Sequence, residues 1–250
     1  MNISFHNGVS GLMAFQEDMD RLSHNVANAK TVGYKADRST FSDLLYTRMA
    51  VNSEKEPLTG HGVRILDSRL VYRQAPILQT ESRLDFALMG DGFFALQRSN
   101  GTIEYSRNGS FDISLEGDVG TLVNNDGSHV LDAQGNVIEL TRDKDSELFN
   151  LDGLKDRIGI YDFPNPYGLE HATGTYFKVG TNSGEPVAIV PGGENFAGRK
   201  YQIKESALEQ SGVELATEMV NVITAQRSFQ FSAKIVQTAD ELEQLVNNLR

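Results

Sequence analysis

From Glu214 to the last residue the sequence contains neither proline nor glycine. As a helix, that run of about 37 residues spans roughly 55 Å at 1.5 Å per residue. Its apolar side chains recur at heptad spacing rather than over a broad stripe. Leu215, Met219, Val222, Phe229 and Val236 follow one series; Phe231, Ile235, Leu242, Leu245 and Leu249 follow a second that takes over past the middle. Ala216, Val220 and Ile223 widen the first turns. A helix with two apolar edges has more than one neighbour to cover them, and an unbroken periodic helix of this length points to a coiled coil. Ser211-Gly212-Val213-Glu214 reads as a capping box that starts it.

The other end of the chain repeats the pattern in short form. Leu12, Phe15, Met19, Leu22 and Val26 recur in steps of three, four, three and four. A helix over 7–28 is predicted, ending near Asn28 or Ala29, with Gly33 suited to a left-handed turn beyond it. About three turns are marginal alone in water, so the two terminal seams are the simplest matched pair. The competing reading is two ordinary helices packed on the core of the segment between them.

That segment changes period. Short apolar runs are cut by Asn100-Gly101, Asn108-Gly109 and Asp126-Gly127, dipeptides that favour β-hairpin turns. Strands are predicted around 84–96, 119–123, 129–131, 137–140, 158–163, 175–179, 187–190 and 199–203. With no helix between them, they indicate an all-β sandwich or barrel. The fold class is therefore α+β: a discontinuous coiled-coil domain from residues 1–45 and 208–250, a polar linker over 46–63, and an inserted β-rich domain over 64–207.

Composition narrows function. The formal net charge of −11 opposes phosphate backbones and anionic lipid, so neither nucleic acid nor a membrane surface is an expected partner. Cysteine is absent, which removes disulfides and thiolate chemistry. The five histidines are scattered without helical ligand spacing, and no metal or other cofactor is expected. Gly90-Asp91-Gly92 lacks the third glycine and the following helix of a dinucleotide fingerprint and reads as a turn. No nucleophile elbow, phosphate loop or paired-carboxylate site is legible, so neither catalysis nor a small-molecule substrate is expected. The start of the chain lacks the basic and apolar regions of a cleavable signal, and no stretch has the length of a membrane span.

Several motifs in order carry a resemblance. Asn25-Val26-Ala27-Asn28 with Thr31-Val32-Gly33-Tyr34-Lys35, Leu84-Asp85-Phe86-Ala87-Leu88 with Gly90-Asp91-Gly92-Phe93-Phe94, and Tyr105 to Phe111 lie in the first half. Glu214 to Asn221, Thr224 to Phe229 and Lys234 to Asp240 lie at the other end. Together the sequence resembles the rod and hook axial family of the bacterial flagellum, in its basal-body rod branch. The resemblance implies a subunit that polymerises helically, with itself and other rod or hook subunits, into a hollow shaft outside the inner membrane. The shaft carries torque to the hook and passes exported subunits. It also implies export by the flagellar type III apparatus without signal cleavage, terminal helices as the inner layer, and a distal-rod position, with a proximal-rod or hook-like protein as the alternative. A β-domain binding module with no flagellar role is the reading from a different class. In the family motif, Asn28, Thr31, Gly33, Tyr34 and Lys35 are read first as residues that end the helix and turn the chain, and Tyr34 as a candidate subunit contact.

Overall fold

A computed structural model of the chain describes residues 3–48, 58–116, 119–141, 149–189 and 201–249. Three α-helices occur among them: α1 (Ile3–Ala27), the single turn α2 (Leu154–Arg157) and α3 (Leu215–Asn248). The chain divides into two compact units. One comprises Met1–Ala29, Asp37–Val71 and Val213–Arg250; the other comprises Lys30–Ala36 and Tyr72–Gly212.

In the first unit α1 and α3 lie side by side and antiparallel. Gly8 faces Val236 and Ile235, while Gly11 faces Ser232, so the numbers run in opposite senses. A Cβ on Gly8 would sit 2.7 Å from the Val236 Cγ2, and one on Gly11 2.9 Å from the Ser232 Oγ. A side chain at either position would therefore displace the Val236 or Ser232 side chain that packs against the glycine. The fully buried side of α1 carries Gly8, Gly11, Ala14, Leu22 and Asn25; that of α3 carries Ala225, Ser232 and Ala239, seven residues apart. Strand β1 (Asp37–Asp43) pairs antiparallel with β4 (Val63–Leu70) and lies on α1. At the far end of this hairpin β2 (Tyr46–Arg48) pairs with β3 (Leu58–Gly60).

Two expectations are corrected here. The polar linker over 46–63 is strand-paired at both ends, and its middle, 49–57, lies outside the described residues. Strand β4 groups with the helices rather than with the β-rich domain expected from residue 64. The pairing with β1 explains this: β4 has its hydrogen-bonding partner in the segment that follows α1.

The capping box is also corrected. Helix α3 begins at Leu215 with Glu214 at the N-cap and no side-chain cap hydrogen bond. Ser211 is instead buried, and the Gly212 N–H donates to the Tyr34 carbonyl at 2.8 Å. That backbone bond holds the segment in a bend, and the helix starts only after it.

The second unit is built from β5 (Ile77–Gln79), β6 (Phe86–Met89), β7 (Phe93–Gln97), β8 (Ile103–Ser106), β9 (Phe111–Glu116), β10 (Val119–Asn124), β11 (His129–Val130) and β12 (Glu139–Leu140). After α2 follow β13 (Ile160–Asp162), β14 (Glu170–His171), β15 (Tyr176–Lys178), β16 (Val187–Ile189), β17 (Gln202–Glu205) and β18 (Ala207–Glu209). A ten-stranded sheet runs β12-β10-β11-β7-β8-β15-β14, with β9 on β10 and with β13 joining β7 to β16. Two short pairs, β17 with β6 and β18 with β5, stand apart from it. Every described strand pair is antiparallel. Phe86, Leu88, Phe94, Leu96, Phe111 and Leu122 are among the residues of one buried apolar cluster.

Of the glycine dipeptides, Asp126-Gly127 turns β10 into β11 and Asn100-Gly101 turns β7 into β8, each glycine at positive φ. Asn108-Gly109 does not make a hairpin: β8 and β9 pair with other strands. Gly109 is needed for another reason. Its carbonyl accepts from the Phe86 N–H at 2.9 Å, and a Cβ there would lie 1.8 Å from the Phe86 oxygen.

Candidate assembly surface and buried charge cluster

On α1, Leu22 is buried and Leu12, Phe15, Met19 and Val26 are half-buried. On α3, Val222, Phe229 and Val236 are half-buried, whereas Leu215, Met219, Leu242, Leu245 and Leu249 are exposed. The helical pair therefore gathers only some of the seam residues read from the sequence. The face of α3 toward α1 runs Val222, Ala225, Phe229, Ser232, Val236, Ala239, in steps of three and four. Half of it is made of alanine and serine, which a search for large apolar residues passes over. The recurrence of small residues every seventh position was the available signal.

A second run of steps four, three, four, three, four passes through Phe231, Ile235, Thr238, Leu242, Leu245 and Leu249, and all six are exposed. Phe231 is 67% and Leu249 87% exposed, so this is an apolar surface and not the edge of a covered one. Such a surface on a helix is the mark of a protein-protein contact.

Asn25, at the end of α1, is fully buried and clamps the start of β1. Its Nδ2 donates to the Asp37 carbonyl at 2.8 Å, and its Oδ1 accepts from the Asp37 N–H at 3.0 Å. Asn25→Ala strands both backbone groups and should cost about 2 kcal/mol. Chemical denaturation of the full chain measures it, and a loss within experimental scatter would refute the clamp.

The remaining motif residues lead into the second unit. Asn28 closes the end of α1, its N–H donating to the His24 and Asn25 carbonyls. Thr31 is half-buried and Tyr34 buried, so the Tyr34 ring belongs to its own chain's interior. Gly33, at φ +69°, donates its N–H to the Glu209 carbonyl at 2.9 Å, and a Cβ there would meet the Asn108 nitrogen at 2.6 Å.

Lys35 then enters a charge cluster that the sequence alone did not reveal. Its Nζ donates to Glu209 Oε1 at 2.8 Å and to the Arg73 carbonyl at 2.9 Å. The same Oε1 accepts from the Ala75 N–H at 2.8 Å. Arg107 Nη1 reaches Glu209 Oε2 at 3.3 Å, and Arg107 Nη2 donates to the Gly90 carbonyl at 2.7 Å. The Lys35 and Glu209 side chains are 0% exposed and that of Arg107 3%. Burial holds the Lys35 ammonium below the usual lysine range, the Arg107 charge acts in the same direction, and Glu209 opposes both. Burial likewise lowers the Arg107 guanidinium, against Glu209 and Asp91. Residues 35, 107 and 209 are far apart in sequence and share no local pattern, which is why no motif announced the cluster.

Among the described residues no group of three or more His, Cys, Asp or Glu side chains is placed to hold a metal ion. Among the described residues no helix is long and apolar enough to cross a membrane. The chain's two ends fold back on each other as a helical pair, a β-rich segment is inserted between them, and one helix keeps a long apolar run open. These features define a structural subunit of an assembly. Residues 5–35 match the family model for flagella basal body rod proteins, 87–155 that of the flagellar hook protein FlgE/F/G D1 domain, and 204–249 that of the flagellar basal body rod FlgEFG protein C-terminal region. The chain is 32% identical to the flagellar basal-body rod protein FlgG of Bacillus subtilis, over 99% of this chain and 98% of that protein. It is 30% identical to FlgG of Borreliella burgdorferi and 32% identical to FlgG of Buchnera aphidicola subsp. Schizaphis graminum, over 96% of both chains in each case. The chain belongs to the flagellar basal-body rod protein family.

Proposed function

We propose that the chain is a rod subunit of the FlgG type, placed in the distal rod. Many copies stack helically into a hollow shaft that carries torque to the hook and passes exported subunits. The observation that carries this reading is the open run on α3. One heptad face of that helix is covered by α1, while the second, from Phe231 to Leu249, remains exposed. Covering it requires other chains, as an axial polymer supplies. The α1–α3 pair works as a short antiparallel coiled coil, its seam narrowed by Gly8, Gly11, Ala225 and Ser232. The protein is structural and not an enzyme. Its partners are copies of itself, the neighbouring axial subunits and the flagellar type III export apparatus, which passes it without signal cleavage. The similarity to FlgG proteins along nearly the whole chain supports the same reading.

Deleting the gene should abolish both motility and the hook, and an epitope-tagged copy should restore them and co-purify with basal bodies. A deletion strain that swims and carries hooks would overturn the proposal.

A further inference from the structure

The two ends of the helical pair differ. At one end, the register set by Gly8 and Gly11 leaves α3 running on past Ile3, the described start of α1. Every residue from Glu241 to Leu249 is exposed there, and Leu242, Leu245, Val246 and Leu249 form its apolar side. At the opposite end a cleft of about 300 Å³ opens between the C-terminal part of α1, strand β1 and the first turns of α3. Its apolar lining includes Phe15, Leu22 and Phe41. Three of its polar atoms, Arg21 Nη1, Ser39 Oγ and Glu218 Oε2, are buried without a hydrogen-bond partner. Arg38, also at the cleft, is exposed and has no partner among the described residues.

We infer that this cleft receives the projecting end of α3 from the next copy of the chain. The inference rests on the assembly reading above and names the contact within it. The chemistry of the two surfaces matches. Leucines of the projecting end meet the Phe15, Leu22 and Phe41 lining. Lining carboxylates and guanidinium groups of both signs select against a simple anion or cation. Glu241 answers Arg38, the exposed cation at the cleft. The topology matches too. The cleft and the projecting end sit at opposite ends of α3, roughly 30 Å apart from Ala225 to Leu245 at 1.5 Å per residue. Each copy therefore offers a plug at one end and a socket at the other. Such a heterologous contact repeats without closing and builds an open-ended helical polymer, whereas a tail-to-tail contact would stop at a dimer.

The chain has no cysteine, so engineered pairs report without background. The double variant Arg38→Cys with Leu245→Cys is expressed in place of the natural chain, and purified basal bodies are oxidised. A disulfide needs Cα atoms within about 7 Å, which one chain cannot offer between these positions. A ladder of covalent multimers is expected, and none from Leu78→Cys with Leu245→Cys, whose first site is exposed in the other unit. Phe41→Cys with Asn248→Cys is the second pair and should give the same ladder. If Arg38→Cys alone fails to enter basal bodies while keeping its helical circular dichroism, the contact is supported as well. Basal bodies that contain either double variant without a ladder would overturn the inference, as would dimers from Leu245→Cys alone. Absence of the natural chain from basal bodies is a different result and defeats the assembly reading itself.

Discussion

Glu209→Ala should destabilise the β-rich unit by about 3–5 kcal/mol, the range for breaking a buried ion pair by removing one partner. Glu209 is bonded to both Lys35 and Arg107, and it also takes the Ala75 N–H. Without it, two cations remain buried beside each other and a backbone donor loses its acceptor. Against a typical domain stability of about 5–15 kcal/mol, the loss should appear as a lower and broader thermal transition of the full chain. The charge rather than the volume is decisive. Removing all three charges together, in a triple variant Lys35→Met, Arg107→Met, Glu209→Leu, should recover part of the loss, because well-packed apolar replacements of buried ion clusters are often neutral or stabilising. A single variant within about 1 kcal/mol of the natural chain would show that the cluster contributes no more than an ordinary hydrogen bond.

The second large effect separates folding from assembly within one helical pair. Leu22 is 8% exposed and Leu245 59% exposed. Leu22→Asp replaces a buried leucine on the side of α1 that faces α3 and should cost the helical unit about 3 kcal/mol, through the apolar packing that is lost there. Leu245→Asp changes an exposed position and should shift chain stability by no more than about 0.5 kcal/mol. It should nevertheless abolish rod formation and motility, because the charge lands in a surface that only other chains cover. Circular dichroism melts of the purified variants and electron microscopy of basal bodies from the two strains read the two effects independently. Normal basal bodies from the Leu245→Asp strain would mean that the open run on α3 is not an assembly surface.

These two variants also mark how far sequence reasoning reached. The helices, their approximate ends and most strands were legible because periodicity is a local property. Leu22, Val222, Phe229 and Val236 were found for that reason. Ala225, Ser232 and Ala239 were not, because the interface they form depends on how closely two backbones approach, and small side chains carry little hydrophobic signal. The capping box failed because a local pattern competed with a longer-range bond, Gly212 N–H to the Tyr34 carbonyl. Asn108-Gly109 failed as a hairpin signal because its glycine is there for a neighbouring strand, not for a turn. The charge cluster was beyond reach in principle: Lys35, Arg107 and Glu209 meet only once the fold exists.

Four passages of chain join the two units, at 29–30, 36–37, 71–72 and 212–213. On the β-rich side, Glu209 takes the Gly33 N–H on its carbonyl and Lys35 and the Ala75 N–H on its carboxylate, three residues or fewer from where the chain resumes toward Gly212. Lys35 in turn holds the Arg73 carbonyl. The roots of all four passages are thus fastened to one residue. In mechanical language the β-rich unit has a single footing: the four roots share one hydrogen-bonded group around the Glu209 carboxylate.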